Sequence, residues 1–275
     1  MKKFTTKFSN FSTKYKINNK HYAFYPQLYG YMQICVHSVM FANNEIGTIE
    51  PVKELCDIAH SHGILFHTDA VQATGAVLYN VKELGVDMLS MSAHKFYGPK
   101  GVGVFYKRDG LKIGRFLNGG EQERALRAGT TNTPGIVGTA AALKEAIDNI
   151  EKDSAYISSL RDYFVNKVVS GLSDVIYNGP ENGNDRLPNN ASFSFKGIEG
   201  ESLLFSLDLA GIAASSGSAC SSGSVDPSRT LMAIGLNAGT ANGSVRFTFG
   251  KNNTKEEADT AADELIKTVN RLRSM

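Results

Sequence analysis

The run Ser92-Ala93-His94-Lys95-Phe96-Tyr97-Gly98-Pro99-Lys100-Gly101 sets a primary amine beside an imidazole and a hydroxyl, and His67-Thr68-Asp69-Ala70-Val71-Gln72 sets a carboxylate among hydrogen-bonding groups. A lysine held close to a carbonyl cofactor forms a Schiff base. A carboxylate facing a pyridine nitrogen keeps that ring protonated and able to accept electrons. Together these are the parts that pyridoxal phosphate chemistry requires. Taken singly, Asp69 reads first as a helix cap or structural ion pair, and Lys95 as a solvated charge. Their shared placement at the ends of successive strands, with Gln72 and His94 adjacent, favours the chemical reading.

A third group is Ser215-Ser216-Gly217-Ser218-Ala219-Cys220-Ser221-Ser222-Gly223-Ser224, small residues around one thiol. A segment with so little to bury is expected to be mobile and its cysteine exposed, suited to a nucleophile that travels between substrate and acceptor. The plain alternative is a linker with an incidental cysteine. Arg246, between Val245 and Phe247 on an expected strand, is a candidate clamp for a substrate carboxylate, or one half of a structural salt bridge. His60, His62 and His67 lack acidic or thiolate ligands at metal-binding spacings and read as helix-surface residues. Gly98, Gly101 and Gly103 make neither a dinucleotide fingerprint nor a phosphate loop.

The elements that must position these groups follow an α/β pattern. Pro51 opens a helix on which Val52, Leu55, Cys56 and Ala59 recur at helical spacing, and Gly63 closes it. Ile64 to Phe66 is a short buried strand ending near Asp69, with further strands at Met88 to Ser92 and Val102 to Tyr106. Strands alternating with helices imply a mainly parallel sheet, whose crevice lies outside the carboxyl ends of its strands. After Pro134 a helix with an apolar face of Ile136, Val137, Ala140, Ala141, Leu143 and Ile147 is expected, then a second through Leu160, Phe164 and Val168. The remainder predicts strands at Ala191 to Phe195 and Ser244 to Phe249, a helix around Ser202 to Leu209, and a last helix with Thr254 and Glu257 as its capping box. No internal repeat is visible.

With 275 residues, 42% hydrophobic and 20% charged, the chain is long enough for a full core, and wholesale disorder is excluded. Three cysteines, Cys35, Cys56 and Cys220, form no disulfide or zinc pattern, so a reducing compartment, the cytoplasm, is expected. Cys35 and Cys56 read as structural. No apolar run reaches eighteen residues, so no membrane span is expected. Six lysines and nine Phe or Tyr crowd residues 1–31, whereas no acid occurs before Glu45. That stretch reads as a poorly structured basic leader; an organellar targeting peptide or a nucleic-acid-touching arm fits it less well. The expected divisions are a leader at 1–35, a cofactor-binding domain at 36–149, and a C-terminal α+β domain at 150–275 with a cysteine loop at 215–224.

Five ordered motifs, Ala42-Asn43-Asn44-Glu45-Ile46-Gly47, His67-Thr68-Asp69-Ala70-Val71-Gln72, Ser92-Ala93-His94-Lys95, Arg127-Ala128-Gly129-Thr130 and Ser216-Gly217-Ser218-Ala219-Cys220, together resemble the NifS/IscS type of cysteine desulfurase, across residues 38–275. The resemblance implies the type I fold of pyridoxal phosphate-dependent transferases, with a mainly parallel large domain and a smaller α+β domain. It implies a homodimer that converts L-cysteine to L-alanine and keeps the sulfur as a persulfide for an iron–sulfur scaffold or a tRNA-thiolation acceptor. No direct nucleic-acid binding is implied. By position, Lys95, Cys220 and His94 would be catalytic. Asn44, Asp69, Gln72, Ser92, His94, Lys95 and, from the second subunit, Thr130 would bind cofactor; Asn44 and Arg246 would bind substrate.

Family members carry about 110 residues ahead of the Asn43-Asn44 motif that have no counterpart here, among them backbone donors of the phosphate site. The resemblance therefore implies a shortened large domain, with residues 1–34 unmatched. A selenocysteine or cysteine-sulfinate lyase would use the same residues, and an inactive fragment would carry the motifs without turnover.

Overall fold

The computed structural model describes residues 13–17, 20–24, 36–216 and 227–275. The chain divides into two compact units, residues 1–41 with 51–145, and residues 42–50 with 146–275. Residues 42–50, expected in the cofactor-binding domain, instead group with the C-terminal unit.

In the first unit, β1 (Thr13–Ile17) pairs antiparallel with β2 (Lys20–Phe24), with Tyr15 opposite Tyr22. This ladder differs from the poorly structured leader expected there; lysine alternates with other residues over Thr13–Ile17, a period of two too short to stand out among its neighbours. The main sheet has the order β3-β4-β5-β6, from β3 (Val36–Met40), β4 (Leu65–Asp69), β5 (Met88–Ser92) and β6 (Gly103–Lys107). The first three strands run parallel and β6 antiparallel, so the carboxyl ends of β4 and β5 lie side by side. Helix α1 (Val52–Ser61) buries Val52, Leu55, Cys56 and Ala59 and packs on β4. On β4, Phe66 and Thr68 are buried while Leu65, His67 and Asp69 are half-buried, so strand alternation sends His67 and Asp69 to one face. A short helix α2 (Val81–Leu84) precedes β5, and the helical turn α3 (Gln122–Ala125) precedes α4 (Thr133–Asp148).

Helix α4 departs from its amphipathic reading. Its buried residues are Gly135 and Thr139, while Ile136 and Val137 are 44% and 64% exposed. Ile147 of the expected face is exposed as well.

In the second unit, β7 (Val175–Tyr177), β8 (Asn190–Phe195), β9 (Ser215–Ser216) and β10 (Ser244–Thr248) form an antiparallel sheet of order β7-β8-β10-β9. β8 is buried throughout. Ala191, Phe193 and Phe195 join Phe164 and Val168 of α5 (Ile150–Gly171), Leu203 and Leu207 of α6 (Gly200–Leu209), and Leu265 and Val269 of α9 (Lys255–Arg273) in one core. Burying each such side chain contributes about 1.5–3 kcal/mol. The alternate residues Ser192 and Ser194 meet this burial by hydrogen bonding with Asn178. The Thr254–Glu257 capping box starts α9 as expected. Two short helices, α7 (Arg229–Ala233) and α8 (Ala238–Asn242), complete the unit.

Candidate active site

The first unit assembles the lysine and the carboxylate. Asp69 ends β4 in register with Met40 on β3 and Ser90 on β5. Its Oδ1 accepts the Val71 backbone N–H at 2.9 Å, an Asx turn that carries the chain onward to half-buried Gln72. Two residues back on the same face, His67 bridges three strands, with Nδ1 2.7 Å from Ser38 Oγ and Nε2 2.9 Å from Ser90 Oγ. Phe105 of β6 stacks on its ring. Burial pushes the His67 imidazole below its ordinary value, against the opposing pull of the Asp69 charge. A neutral ring has one donor and one acceptor nitrogen, and both hydroxyls adapt to either tautomer.

Lys95 sits in a single 3₁₀ turn, Ala93–Phe96, directly after β5. The turn is closed tightly. Gly98 N–H returns to the Ala93 carbonyl at 2.9 Å, and Ala93 N–H reaches Val102 O at 3.0 Å. Tyr97 takes φ 64°, costly for an aromatic residue, and a Cβ on Gly98 would meet Ala93 O at 2.9 Å. The sequence spends this strain on a bend that leaves Lys95 exposed, with no hydrogen bond or ion pair among the described residues. Ser92 Oγ and His94 Nδ1 lie 2.8 Å apart beside it. Asp69, Gln72, Ser92, His94 and Lys95 therefore share one edge of two adjacent parallel strands. Thr130, exposed and later in the same unit, makes no bond to them among the described residues.

The second unit holds Asn44 and Arg246. Arg246 donates from one terminal nitrogen to the Asn44 carbonyl at 2.6 Å and from the other to Ser215 Oγ at 2.8 Å. The Asn43 side chain caps the bend by accepting from Glu45 N–H and Ile46 N–H at 2.9 and 3.1 Å. Gly47 closes it at φ 73°, where a Cβ would lie 2.9 Å from the Asn190 side chain. Cys220 and Cys35 lie outside the described residues. Cys56 is fully buried, and burial pushes its thiol up to about 11, as befits the structural role expected of it.

Two residues had no assigned role in the sequence reading. Glu45 accepts from Ser228 Oγ and from Thr230 Oγ1, the latter at 2.9 Å. Buried Asp87 accepts from His60 Nε2 and Phe66 N–H, each at 2.8 Å, and from Arg108 Nε at 2.9 Å. His60 is thus tied to a buried carboxylate rather than loose on its helix. Glu45 lies within the Ala42-Asn43-Asn44-Glu45-Ile46-Gly47 motif; Asp87 carries no local signal, because its partners come from separate parts of the chain.

Residues 31–260 match the aminotransferase class-V family. Over 238 residues the chain is 50% identical to the cysteine desulfurase IscS of Clostridium botulinum and 52% identical to that of Dictyoglomus turgidum. Each alignment covers 86% of this chain and 60% of the relative, so the chain spans about three-fifths of the length of these proteins. A solved structure described as a NifS-like protein superposes with TM-score 0.77 at 36% identity, over 86% of this chain and 61% of that one.

Proposed function

The chain belongs to the aminotransferase class-V family, with the type I transferase fold, and from that premise we propose that it is a pyridoxal phosphate-dependent cysteine desulfurase. The observation that carries the reading is the unpaired Lys95 amine on the same strand edge as the Asp69 carboxylate, in a chain half identical to relatives named for this reaction.

The residues present fit the cofactor by their donor chemistry. Lys95 offers an amine to its aldehyde, Asp69 a carboxylate to its ring nitrogen, and Ser92 with His94 a hydroxyl and an imidazole to its phosphate. Gln72 and Asn44 would bind the ring's phenolic oxygen, and Thr130 of a second copy would add a hydroxyl. When bound, pyridoxal phosphate supplies an electron sink for bonds at the amino-acid carbons. Asp69 would keep the ring nitrogen protonated, and Lys95 would be the amine that holds the cofactor. Arg246 and Asn44 orient the carboxylate of L-cysteine. The Cys220 thiolate attacks the substrate sulfur, and the carbon–sulfur bond breaks with its electron pair passing to carbon. That carbon takes a proton to become the methyl of L-alanine, and Cys220 is left as a persulfide. The persulfide sulfur then passes to an iron–sulfur scaffold or tRNA-thiolation acceptor. The cytoplasm, where thiols stay reduced, is the setting.

The test is a visible absorbance spectrum after incubation with pyridoxal phosphate and desalting, followed by assays for alanine and sulfide from L-cysteine. A retained band that is lost in Lys95→Ala, with stoichiometric alanine and sulfide, is expected. A folded chain without a band would overturn the reading.

A further inference from the structure

A line of hydrogen bonds on the polar face of the C-terminal sheet ends on Arg246. Along β8, Ala191, Phe193 and Phe195 enter the core, so strand alternation turns Asn190 and Ser192 to the other face, where Arg246 of β10 stands opposite Ser192 in register. The line starts at Arg186, which is 2% exposed. Every acceptor that Arg186 reaches among the described residues is a neutral oxygen. Its Nε donates to Pro180 O at 2.7 Å, one terminal nitrogen to the carbonyl and Oδ1 of Asn190, each at 3.3 Å, and the other to the Asn178 carbonyl. The Tyr177 ring covers the guanidinium, with Cζ 4.0 Å from its centroid.

Asn190 is itself 3% exposed, and its amide faces two kinds of partner. Oδ1 meets a guanidinium, which can only donate. Nδ2 donates to the carbonyls of Glu45 and Asn44 at 3.2 and 3.4 Å, and these can only accept. One orientation of the amide therefore serves both sides. The bend that carries those carbonyls is seated on Asn190 as well, for Leu187 N–H reaches Gly47 O at 2.7 Å and a Cβ on Gly47 would lie 2.9 Å from the Asn190 side chain. The Asn44 carbonyl is the oxygen that accepts from Arg246 at 2.6 Å, while Ser215 Oγ accepts from the other terminal nitrogen at 2.8 Å.

We propose that Asn190 is a positioning residue for Arg246. It holds the Asn44 carbonyl in place, and that carbonyl, with Ser215 Oγ, sets the plane of the Arg246 guanidinium before a carboxylate reaches it. A planar fork already held in one orientation loses less freedom on taking a carboxylate than one that must first be ordered. Arg186 contributes by occupying Oδ1, which commits Nδ2 to the Asn44-Glu45 side.

This rests on Arg246 being the carboxylate clamp of the proposed desulfurase, so the test includes a readout that needs neither cofactor nor substrate. The rate of phenylglyoxal modification at Arg246 would be followed by peptide mass spectrometry in the full chain, for wild type, Asn190→Asp and Asn190→Ser. Asn190→Asp keeps the size and the acceptor toward Arg186 and gives that cation a counter-charge, but it sets an oxygen against the Asn44 and Glu45 carbonyls. A merely structural role would survive that change, whereas the positioning role would not. Modification of Arg246 should quicken by about threefold or more as its fixed carbonyl is released, with Arg108 of the first unit reacting at the wild-type rate. KM for L-cysteine should rise on the order of tenfold while kcat stays within about threefold. Asn190→Ser, too short to reach the Asn44 carbonyl, should shift both readouts in the same sense, which carries the test if Asn190→Asp unfolds.

Arg246 modified at the wild-type rate in either folded variant, or a fall in kcat with KM unchanged, would overturn the proposal. If wild type forms no alanine, the desulfurase reading fails, and the phenylglyoxal series still decides whether Asn190 holds Arg246.

Discussion

At the scale of single residues, the candidate site separates groups committed to structure from groups left for a ligand. Cys56 and His67 are committed, one buried on α1 and the other bonded to Ser38 and Ser90. Lys95 is uncommitted, and Asp69 spends one oxygen on Val71. Asp69→Asn keeps the shape and the Asx turn but removes the charge. It should retain cofactor absorbance while turnover falls on the order of a hundredfold, because the ring is no longer held protonated; turnover within twofold of wild type would return Asp69 to the structural carboxylates. Cys220→Ser should keep the band and lose persulfide, read by alkylation and intact mass; sulfide release at the wild-type rate would reject the assignment. His67 carries a pH prediction. Its folded value is lowered, so the folded state takes up fewer protons than the unfolded chain, and stability falls as pH drops through the ordinary histidine range near about 6.5. Urea midpoints measured from about pH 7 to about pH 5 should decline in wild type and decline less steeply in His67→Asn, which keeps polar contacts without titrating, the remaining slope including half-buried His37.

At the scale of elements, Asp87 does what no single strand or helix can. It joins α1 through His60, the start of β4 through Phe66 N–H, and the end of β6 through Arg108, and so holds the sheet whose edge presents Asp69 and Lys95. Burial pushes its carboxyl up, yet the Phe66 N–H, His60 and Arg108 together outweigh that and hold it below the usual carboxylate range. The stability it adds is present above the unfolded carboxylate value of about 4 and is lost as pH falls through the lower folded value. Asp87→Ala strands three donors and should cost about 2–3 kcal/mol at neutral pH, a difference from wild type that narrows in acid. A pH-independent difference would mean that packing, not the carboxylate, does the joining. Gly47→Ala should destabilise by about 1–2 kcal/mol, since it forces a Cβ into the left-handed region and against Asn190. Much of this level was legible in the sequence. The β5 bounds, the α1 face and the α9 capping box follow from local pattern and short-range caps. Asp87, the Glu45 bonds to Ser228 and Thr230, and the grouping of residues 42–50 with the C-terminal unit depend on partners tens to nearly two hundred residues away, which no local periodicity encodes.

At the scale of the whole molecule, the question is what covers the apolar surface that each unit does not bury by itself. In the first unit Phe116 is 92% exposed and Val137 64%, and of the sixteen residues of α4 only Gly135 and Thr139 are buried. The pattern on α4 was readable as an apolar face, but whether a face turns to its own core or to another chain is not written in its periodicity. An apolar helix face bounded by polar residues is characteristic of an interface between chains, because leaving Ile and Val in water forfeits about 25 cal/mol for each Å². A second copy is the partner that the proposed function requires, since Thr130 would then be supplied across the interface. The chain should therefore sediment as a dimer at micromolar concentration. Val137→Glu would set a charge on that face and should weaken association roughly tenfold or more, without shifting the far-ultraviolet circular dichroism. If α4 is the contact, the same variant should also lower cofactor retention, because Thr130 lies three residues ahead of that helix. A monomeric wild type that nonetheless holds pyridoxal phosphate would break this chain of inference at its last link: Lys95 and Asp69 would suffice alone, and α4 would need a different partner.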